Sequence, residues 1–221
     1  MAYPPLPWKM QMPGVMLQTL QLIDIEVARR SIPAEFEIVS VLPGKTIGGI
    51  YIGEYGPGSD LEYNELGAFS GYVRYSGRTG IWVAKMYVDS EPSMQMAHEL
   101  LGLPKEMATF EWESGERNRV TVRQSDQQIC TINYGRQRYF WRQNLKVAAF
   151  SVLDREVVHF RNEFNMRWGL TRADISVPPE SALAPLQLDR PFMTLCATDS
   201  QSVLVEGLTT VGKRRKLIVE N

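Results

Sequence analysis

The sequence predicts a mainly β (α+β) fold, in which a curved antiparallel sheet closes into a barrel or sandwich and a few short helices are added. About ten short segments rich in β-branched and aromatic residues follow one another closely, and glycine-containing turns separate them. Only one longer stretch has clear helical periodicity. A series of short strands at this spacing is typical of an antiparallel sheet that curls on itself.

The first half of the chain shows the strand pattern most clearly. MLQTLQLID alternates apolar and polar residues, as a half-buried strand does, and EVARRSIP after it predicts a short helix that ends at Pro33. FEIVSVLPGKTIGGIYIGEYG predicts two strands joined at LPGK. YNELGAFSGYVRYSGRTGIWVAKMYVD predicts two more, joined at a turn in SGRTG.

The second half predicts further strands in seven segments: MATFEWESG, RNRVTVRQ, QQICTINYG, NLKVAAFSV, VVHFRNEFNMRWGL, FMTLCATD and KRRKLIVE. The stretch from Val177 to Pro191 is interpreted as a long surface connection. No internal repeat or linker divides the chain, so residues 1–221 are predicted to form a single domain. A chain of this length buries roughly 70% of its unfolded surface, which is enough for a core without disulfides.

The predicted helix follows YVD. Ser90 is a suitable N-cap, because its hydroxyl can accept a hydrogen bond from the first turn. Three apolar residues at helical spacing form one face: Met94, Ala97 and Leu101. Gly102 and Pro104 end the helix, which places Lys105 just beyond its C-terminus and at the start of the next strand.

Composition narrows the class of protein. The formal net charge is -1, so neither nucleic acid nor an anionic membrane is predicted as a partner, and the basic GKRRKL near the C-terminus is interpreted as a solvated hairpin or strand end. The N-terminus has no signal-peptide core, and no segment approaches the ~18 apolar residues of a membrane span. The prediction is therefore a cytoplasmic protein.

The cysteines and histidines predict no metal site and no cofactor. Cys130 and Cys196 lie in strand-like segments and are interpreted as buried free thiols of a reducing compartment, with a single disulfide between them as the alternative. His98 and His159 are far apart in the sequence, and the spacing of these four residues does not match a set of metal ligands.

Lys105, in HELLGLPKEMATF, is the residue whose setting suggests chemistry. The pKa of a free lysine is near ~10.4, so little neutral amine exists at pH 7. Burial can lower the pKa of a lysine by up to ~3–5 units and give an amine that attacks a carbonyl group. Apolar neighbours such as Leu103 and Met107 could supply that burial. From the residues alone, a solvated lysine in a turn is the favoured interpretation.

Three segments resemble the acetoacetate decarboxylase-like superfamily. YVDSEPSMQMAHELLGLPKEMATFEW is similar to its signature, which ends at a Schiff-base lysine, and YNELGAFSGYVRYSGRTGIWV is similar to its Y-x-E-L strand-hairpin region. PPLPWKM and VARRSIPAEFEIVSVLPGKTIGGIYIGEY resemble the N-terminal part of a short branch. The resemblance spans roughly residues 5–112 and implies the superfamily's curved β-barrel or sandwich.

The resemblance implies a carbon–carbon lyase that needs no cofactor. Lys105 would condense with a keto acid to an iminium, which is an electron sink for the loss of carbon dioxide. Glu65 would transfer or orient a proton, and Tyr63, on the same strand face, would hydrogen-bond the substrate. The other substrate-binding positions expected are Ile50, Glu54, Met86 and Leu103. Because members of the superfamily are often oligomeric, a homo-oligomer is also expected.

The sequence departs from the decarboxylase pattern near the expected substrate. A second lysine follows the nucleophile in the decarboxylase, and Glu106 stands at that position here. If its carboxylate lay close to Lys105 it would oppose activation, whereas in an extended segment it would point to the opposite face. The decarboxylase's first-strand arginine has no counterpart, and Ile50 stands near a glutamate position, with Glu54 four residues further on.

These departures keep two alternatives open. One is a Schiff-base aldolase or dehydratase that acts on pyruvate-like substrates through the same Lys105. The other is a non-catalytic protein that binds an apolar ligand such as a carotenoid, with Lys105 in a structural role. A plant branch of the superfamily with a similar proline-rich opening is associated with neoxanthin formation, and the ten methionines of this chain would suit a large apolar ligand.

Overall fold

A computed structural model of the protein describes residues 3–214. The strands within that range are β1 (Trp8–Met12), β2 (Met16–Asp24), β3 (Glu37–Ile38), β4 (Lys45–Tyr55), β5 (Tyr63–Tyr75), β6 (Arg78–Val88), β7 (Lys105–Met107), β8 (Thr109–Glu113), β9 (Asn118–Gln124), β10 (Gln127–Tyr134), β11 (Arg138–Leu153), β12 (Glu156–Thr171), β13 (Ala173–Ser176) and β14 (Met193–Lys213). The helices are α1 (Ile25–Arg29) and α2 (Glu91–Leu101), with a 3-10 turn at Ala184–Leu186. None of the helices in this part of the chain is both long enough and apolar enough to cross a membrane.

Seven strands close into a ring. They pair in the order β5, β4, β2, β14, β12, β11 and β6, and β6 pairs again with β5. The predicted mainly β fold is therefore confirmed. Most pairs are antiparallel as predicted, but β6 pairs in parallel with β11 and with β7. A second sheet, in the order β13, β10, β9 and β8, packs beside the ring.

Two apolar cores lie on opposite faces of the ring strands. Adjacent residues alternate between them, as the period of a strand requires: Met16 and Ala149 belong to one core, Leu17 and Phe150 to the other. The core that contains Leu17 also takes in apolar residues of the second sheet, and is called here the sheet-side core. The core that contains Met16 also takes in the buried face of α2, and is called the helix-side core.

Local chemistry fixes both ends of α2, as the sequence predicts. The Ser90 hydroxyl accepts a hydrogen bond from the backbone N–H of Ser93 at 3.4 Å. Gly102 ends the helix in the left-handed conformation, with φ of +61°, and the Ser151 hydroxyl donates to the carbonyl of Leu101. The chain then enters β7, where Lys105 pairs with Met86 of the parallel strand β6.

One segment differs from the sequence interpretation, a second forms a strand that the sequence did not predict, and a third lies mostly outside the described residues. The connection from Val177 to Pro191 is not confined to the surface, because its leucines at 183, 186 and 188 are buried in the sheet-side core. The proline-rich N-terminus forms β1, whose apolar residues alternate with polar ones and whose backbone pairs with β14. The strand expected in KRRKLIVE begins with Lys213, the last residue of β14, and the rest from residue 215 lies outside the described residues.

The structure agrees with the interpretation of the two cysteines as free thiols. Cys130 and Cys196 are both buried and unpaired. Burial raises the pKa of the Cys130 thiol to about 12 and that of Cys196 to about 11. Both thiols therefore stay protonated near neutral pH and are poor nucleophiles.

Candidate active site

Lys105 is buried in the helix-side part of the structure, with 5% of its side chain exposed. Its Nζ lies 2.7 Å from Glu65 Oε2, 2.9 Å from the Ser93 hydroxyl and 3.4 Å from the Tyr63 hydroxyl. A lysine ammonium has three N–H donors, so these oxygens satisfy all of them. The lysine is thus held as a fully hydrogen-bonded group in the interior, not as a solvated turn residue.

Three elements meet to build this arrangement. Tyr63 and Glu65 lie two residues apart on β5 and project from the same face of the strand. Ser93 lies in the first turn of α2, where the cap at Ser90 fixes the backbone. The Tyr63 ring also packs against the lysine, with Nζ 4.7 Å from the ring centroid, at which distance a cation is attracted by the face of the ring.

His98 fixes the backbone of the segment that carries Lys105. Its Nε2 lies 2.7 Å from the backbone carbonyl of Lys105. Because a carbonyl oxygen only accepts hydrogen bonds, Nε2 is the protonated nitrogen that donates. This contact ties the last turns of α2 to β7 and holds the start of the Lys105 side chain in place.

Glu106 points away from Lys105. In the extended backbone of β7, consecutive side chains leave opposite faces, and Glu106 Oε1 lies 2.9 Å from Lys85 Nζ, while Oε2 accepts a hydrogen bond from Gln124 at 2.9 Å. Burial alone would raise the pKa of Glu106, but the hydrogen bonds from Gln124 and Lys85 outweigh it and lower the pKa below its ordinary value. The negative charge of Glu106 is therefore matched by Lys85.

This geometry predicts a mild effect of the Glu106→Gln substitution. Because the pair with Lys85 is about one-third exposed, its loss should lower the free energy of unfolding by less than about 1 kcal/mol. Reaction of Lys105 with a carbonyl compound should proceed at the wild-type rate. Urea denaturation and the rate of adduct formation check the two expectations, and a rate changed more than tenfold would show that Glu106 acts on Lys105 after all.

A cavity of about 110 Å³ lies next to the Lys105–Glu65 pair. Every strand of the seven-membered ring contributes to its wall. Most of the wall is apolar, including Phe69, Phe160 and Phe164. Its polar wall residues are Gln18, Asn162, Tyr51, Tyr55 and the carboxylate-bearing Glu65. Lys105 is not itself part of the wall, so Glu65 is the contact between the cavity and the lysine.

The tyrosines around Glu65 are neutral hydrogen-bonding groups. Burial, and secondarily the charge of Glu65, raises the pKa of Tyr63 and of Tyr51 well above the ordinary value. Burial, followed by the charges of Tyr51 and Glu65, does the same to the pKa of Tyr55. Tyr51 donates to the Tyr55 hydroxyl at 2.7 Å. Near neutral pH these phenols can bind a substrate oxygen, but they are not bases.

The structure brings together five of the seven residues expected from the sequence. Lys105, Glu65 and Tyr63 contact one another, and Met86 and Leu103 line the cavity with Glu65.

The structure does not bring Ile50 or Glu54 to the cavity. Ile50 is buried in the sheet-side core and Glu54 is exposed. The reason is strand alternation, because Tyr51 and Tyr55 of the same strand point into the cavity and the even-numbered residues face elsewhere.

Sequence reasoning missed several residues of the site. Ser93, His98, Gln18, Asn162 and the Tyr51–Tyr55 pair were not assigned to it. The aromatic residues of GGIYIGEY were a usable signal for the tyrosines. Within residues 3–214, no three His, Cys, Asp or Glu side chains come together in a way that could hold a metal ion.

The acetoacetate decarboxylase (ADC) family model matches residues 1–168 of the chain. The chain belongs to the acetoacetate decarboxylase family. The structure agrees with this assignment: a solved acetoacetate decarboxylase superposes with a TM-score of 0.70 over 97% of this chain and 93% of that chain, at 14% sequence identity. The decarboxylase of Legionella pneumophila superposes with the same TM-score over 94% and 89% of the two chains, at 11% identity.

Other proteins that this chain resembles carry different names. The enduracididine biosynthesis enzyme MppR, solved in complex with pyruvate, superposes with a TM-score of 0.68 at 15% identity, over 96% of this chain and 93% of MppR. Protein NEOXANTHIN-DEFICIENT 1 of Oryza sativa subsp. japonica is 28% identical over 119 residues, which is 53% of this chain and 38% of the rice protein. The Solanum lycopersicum protein of that name is 30% identical over 104 residues, covering 47% and 34%. The matched region thus spans little more than a third of these plant proteins.

Proposed function

We propose that this protein is a lyase that forms an iminium between Lys105 and a small β-keto acid and releases carbon dioxide. The observation that carries the proposal is the buried Lys105–Glu65 pair, whose Glu65 carboxylate lines a mostly apolar cavity. A buried lysine is an expensive group to retain for stability alone, and carbonyl chemistry is what a desolvated amine can do.

The proposed reaction begins with proton transfer from Lys105 to Glu65, whose Oε2 is 2.7 Å from Nζ. The neutral amine attacks the keto carbon, and loss of water gives the iminium. The bond to the carboxylate then breaks, carbon dioxide leaves, and the electron pair moves into the iminium to give an enamine. Glu65, which gave its first proton to the departing water, takes a second proton from solvent and transfers it to the enamine carbon. Water hydrolyses the second iminium, which frees the ketone and Lys105.

The cavity supports a small substrate. An apolar cavity of about 150 Å³ can hold a benzene molecule, and the cavity beside Glu65 measures about 110 Å³. Its polar groups, the phenols of Tyr51 and Tyr55 and the amides of Gln18 and Asn162, are suited to hydrogen-bond a carbonyl or carboxylate oxygen. The volume of this cavity suits a small keto acid better than a carotenoid, so catalysis is proposed in preference to the binding-protein alternative that the plant relatives support.

A second reaction is supported by a specific comparison. MppR has been solved with pyruvate and with the condensation product of pyruvate and imidazole 4-carboxaldehyde. If this chain acts on an α-keto acid, the same Lys105 iminium would lose a carbon-bound proton to Glu65. The resulting enamine would add to an aldehyde instead of losing carbon dioxide. Both reactions share the first intermediate and differ in the bond that breaks next.

Borohydride trapping tests the shared step. The protein is incubated with acetoacetate, pyruvate or a longer keto acid and reduced with borohydride. The mass of the intact protein is then measured by mass spectrometry. At least one keto acid should add a single reduced adduct to the wild type. The Lys105→Gln variant should give none, and the Lys85→Gln variant should match the wild type. Absence of an adduct with every keto acid would contradict the proposal.

Carbon dioxide release then separates the two reactions. A keto acid that is trapped and releases carbon dioxide at a rate that Lys105→Gln abolishes supports decarboxylation. Trapping of a keto acid without release of carbon dioxide, together with consumption of an added aldehyde, supports the aldol-type alternative.

A further inference from the structure

A second concave site lies at the junction of the ring and the second sheet. Two of the chain's crossings between the sheets lie here, one between β10 and β11 and one between β12 and β13. The two crossings are tied together, because the backbone N–H of Gly135 donates to the Arg172 carbonyl at 3.0 Å and the Thr171 hydroxyl donates to the Gly135 carbonyl at 3.1 Å. The junction encloses a groove of about 840 Å³, called here the arginine groove, which shares no lining residue with the cavity beside Glu65.

The arginine groove concentrates positive charge. Four arginines line it: Arg117, Arg136, Arg138 and Arg172. Asp174 is the one acidic residue in its wall, and its carboxylate lies 3.1 Å from Arg117. The other three guanidinium groups form no ion pair or side-chain hydrogen bond with any described residue. In a chain whose net charge is -1, such clustering of unmatched guanidinium groups sets up a local positive field.

Two phenyl rings line the same groove. Phe140 and Phe192 are each 59% exposed, which is unusual for so large an apolar side chain. Phe140 is held in place by stacking on Trp141, with ring centroids 5.7 Å apart and an interplanar angle of 18°. The groove therefore offers exposed ring faces beside its guanidinium groups.

We propose that the arginine groove binds an organic phosphate that carries a planar ring, a ligand of the nucleotide class. Guanidinium groups bind phosphate through paired N–H donors, and exposed phenyl rings stack on planar bases. The volume of the groove lies within the roughly 300–1,000 Å³ that small-ligand sites occupy. A flat protein partner would not require a concave site of this size, and a simple anion would leave the two rings exposed.

Calorimetric titration with ATP, inorganic triphosphate and adenosine tests the proposal on the full-length protein. ATP should bind more tightly than triphosphate, adenosine should bind most weakly, and the affinity for ATP should fall as salt is raised. Arg138→Gln and Arg172→Gln should each weaken ATP binding by about tenfold or more. Phe192→Ala should weaken ATP binding by about fivefold or more and leave triphosphate unchanged.

Two further variants sharpen the test. Asp174→Asn removes the acidic residue of the groove and should tighten ATP binding by about two- to fivefold. Arg123→Gln removes an exposed arginine of β9, outside the groove, and should change nothing. Thermal unfolding checks that every variant is folded, which is expected because the replaced side chains are exposed.

Three results would overturn the proposal. They are the absence of ATP binding at low salt, triphosphate binding as tight as ATP binding, and full ATP affinity in Arg138→Gln and Arg172→Gln. If the groove is instead an interface between two copies of the chain, light scattering should show a dimer for the wild type and a loss of dimer mass in the arginine variants. In that case no nucleotide should bind.

Discussion

Replacing Lys105 by methionine, or Glu65 by leucine, is expected to lower the free energy of unfolding by about 3–5 kcal/mol, whereas the double replacement restores most of that loss. Each single change leaves one charge in the interior without its partner, and such a charge is costly. The double change replaces the ion pair by apolar side chains of similar volume, which is often neutral or stabilising. Urea denaturation of the four proteins gives the coupling free energy directly.

The Lys85–Glu106 pair is a matched control for this cycle. Its atoms are 2.9 Å apart, compared with 2.7 Å in the Lys105–Glu65 pair, but its side chains are 33% and 37% exposed instead of 5% and 7%. The cycle of Lys85→Met and Glu106→Leu should give a coupling of at most about 1 kcal/mol. Additive effects of the Lys105 and Glu65 replacements would mean that the two side chains do not form a buried ion pair in solution.

Gly102→Ala is expected to lower the free energy of unfolding by about 2–5 kcal/mol and to reduce keto-acid trapping. Gly102 has a left-handed backbone with φ of +61°, which disfavours a side chain. A Cβ there would also lie 2.1 Å from the Val152 carbonyl oxygen, so the backbone must move. Because Lys105 follows three residues later, that movement should displace the Lys105 amine. Denaturation and the trapped fraction measure the two effects.

Gly77→Ala separates the two causes. Gly77, in the turn between β5 and β6, also has a positive φ, of +73°, but no atom lies within 4 Å of the position its Cβ would take. This variant should lose about 1–2 kcal/mol from the backbone conformation alone and should keep full trapping. An equal loss in the two variants would show that contact with Val152 is unimportant.

The repeated strand pattern was sufficient to predict a curved sheet that closes into a barrel or sandwich, but not which strands pair to complete the ring. The alternation in MLQTLQLID correctly predicts a strand but not its buried face, because Thr19, Gln21 and Ile23 are buried and Leu22 is exposed. Closure depends on the short parallel contact between β6 and β11, which joins Ile81 to Ala149 and Trp82 to Phe150. Contacts between residues so distant in the chain leave no local signature. The sequence analysis misses the buried leucines near Leu186, because a segment without a regular strand pattern is expected to lie on the surface.

The candidate site could be predicted only for residues that belong to a recognisable sequence motif. Lys105, Glu65 and Tyr63 were assigned through the family resemblance, whereas local physics favoured a solvated lysine. On β4 the wrong face was chosen, because an alignment that differs by one residue exchanges Ile50 for Tyr51. Ser93 lies twelve residues before Lys105 in the sequence. The two side chains meet only because α2 and the turn at Gly102 fold the chain back, so the sequence spacing does not predict their contact.

Mapping the trapped adduct tests directly whether Lys105 is the amine that reacts with the keto acid. The wild-type protein is reduced with borohydride in the presence of its best keto acid, digested, and sequenced by tandem mass spectrometry. We expect the added mass to lie on Lys105 alone. An adduct spread over exposed lysines such as Lys45 and Lys146, with Lys105 unmodified, would contradict this expectation.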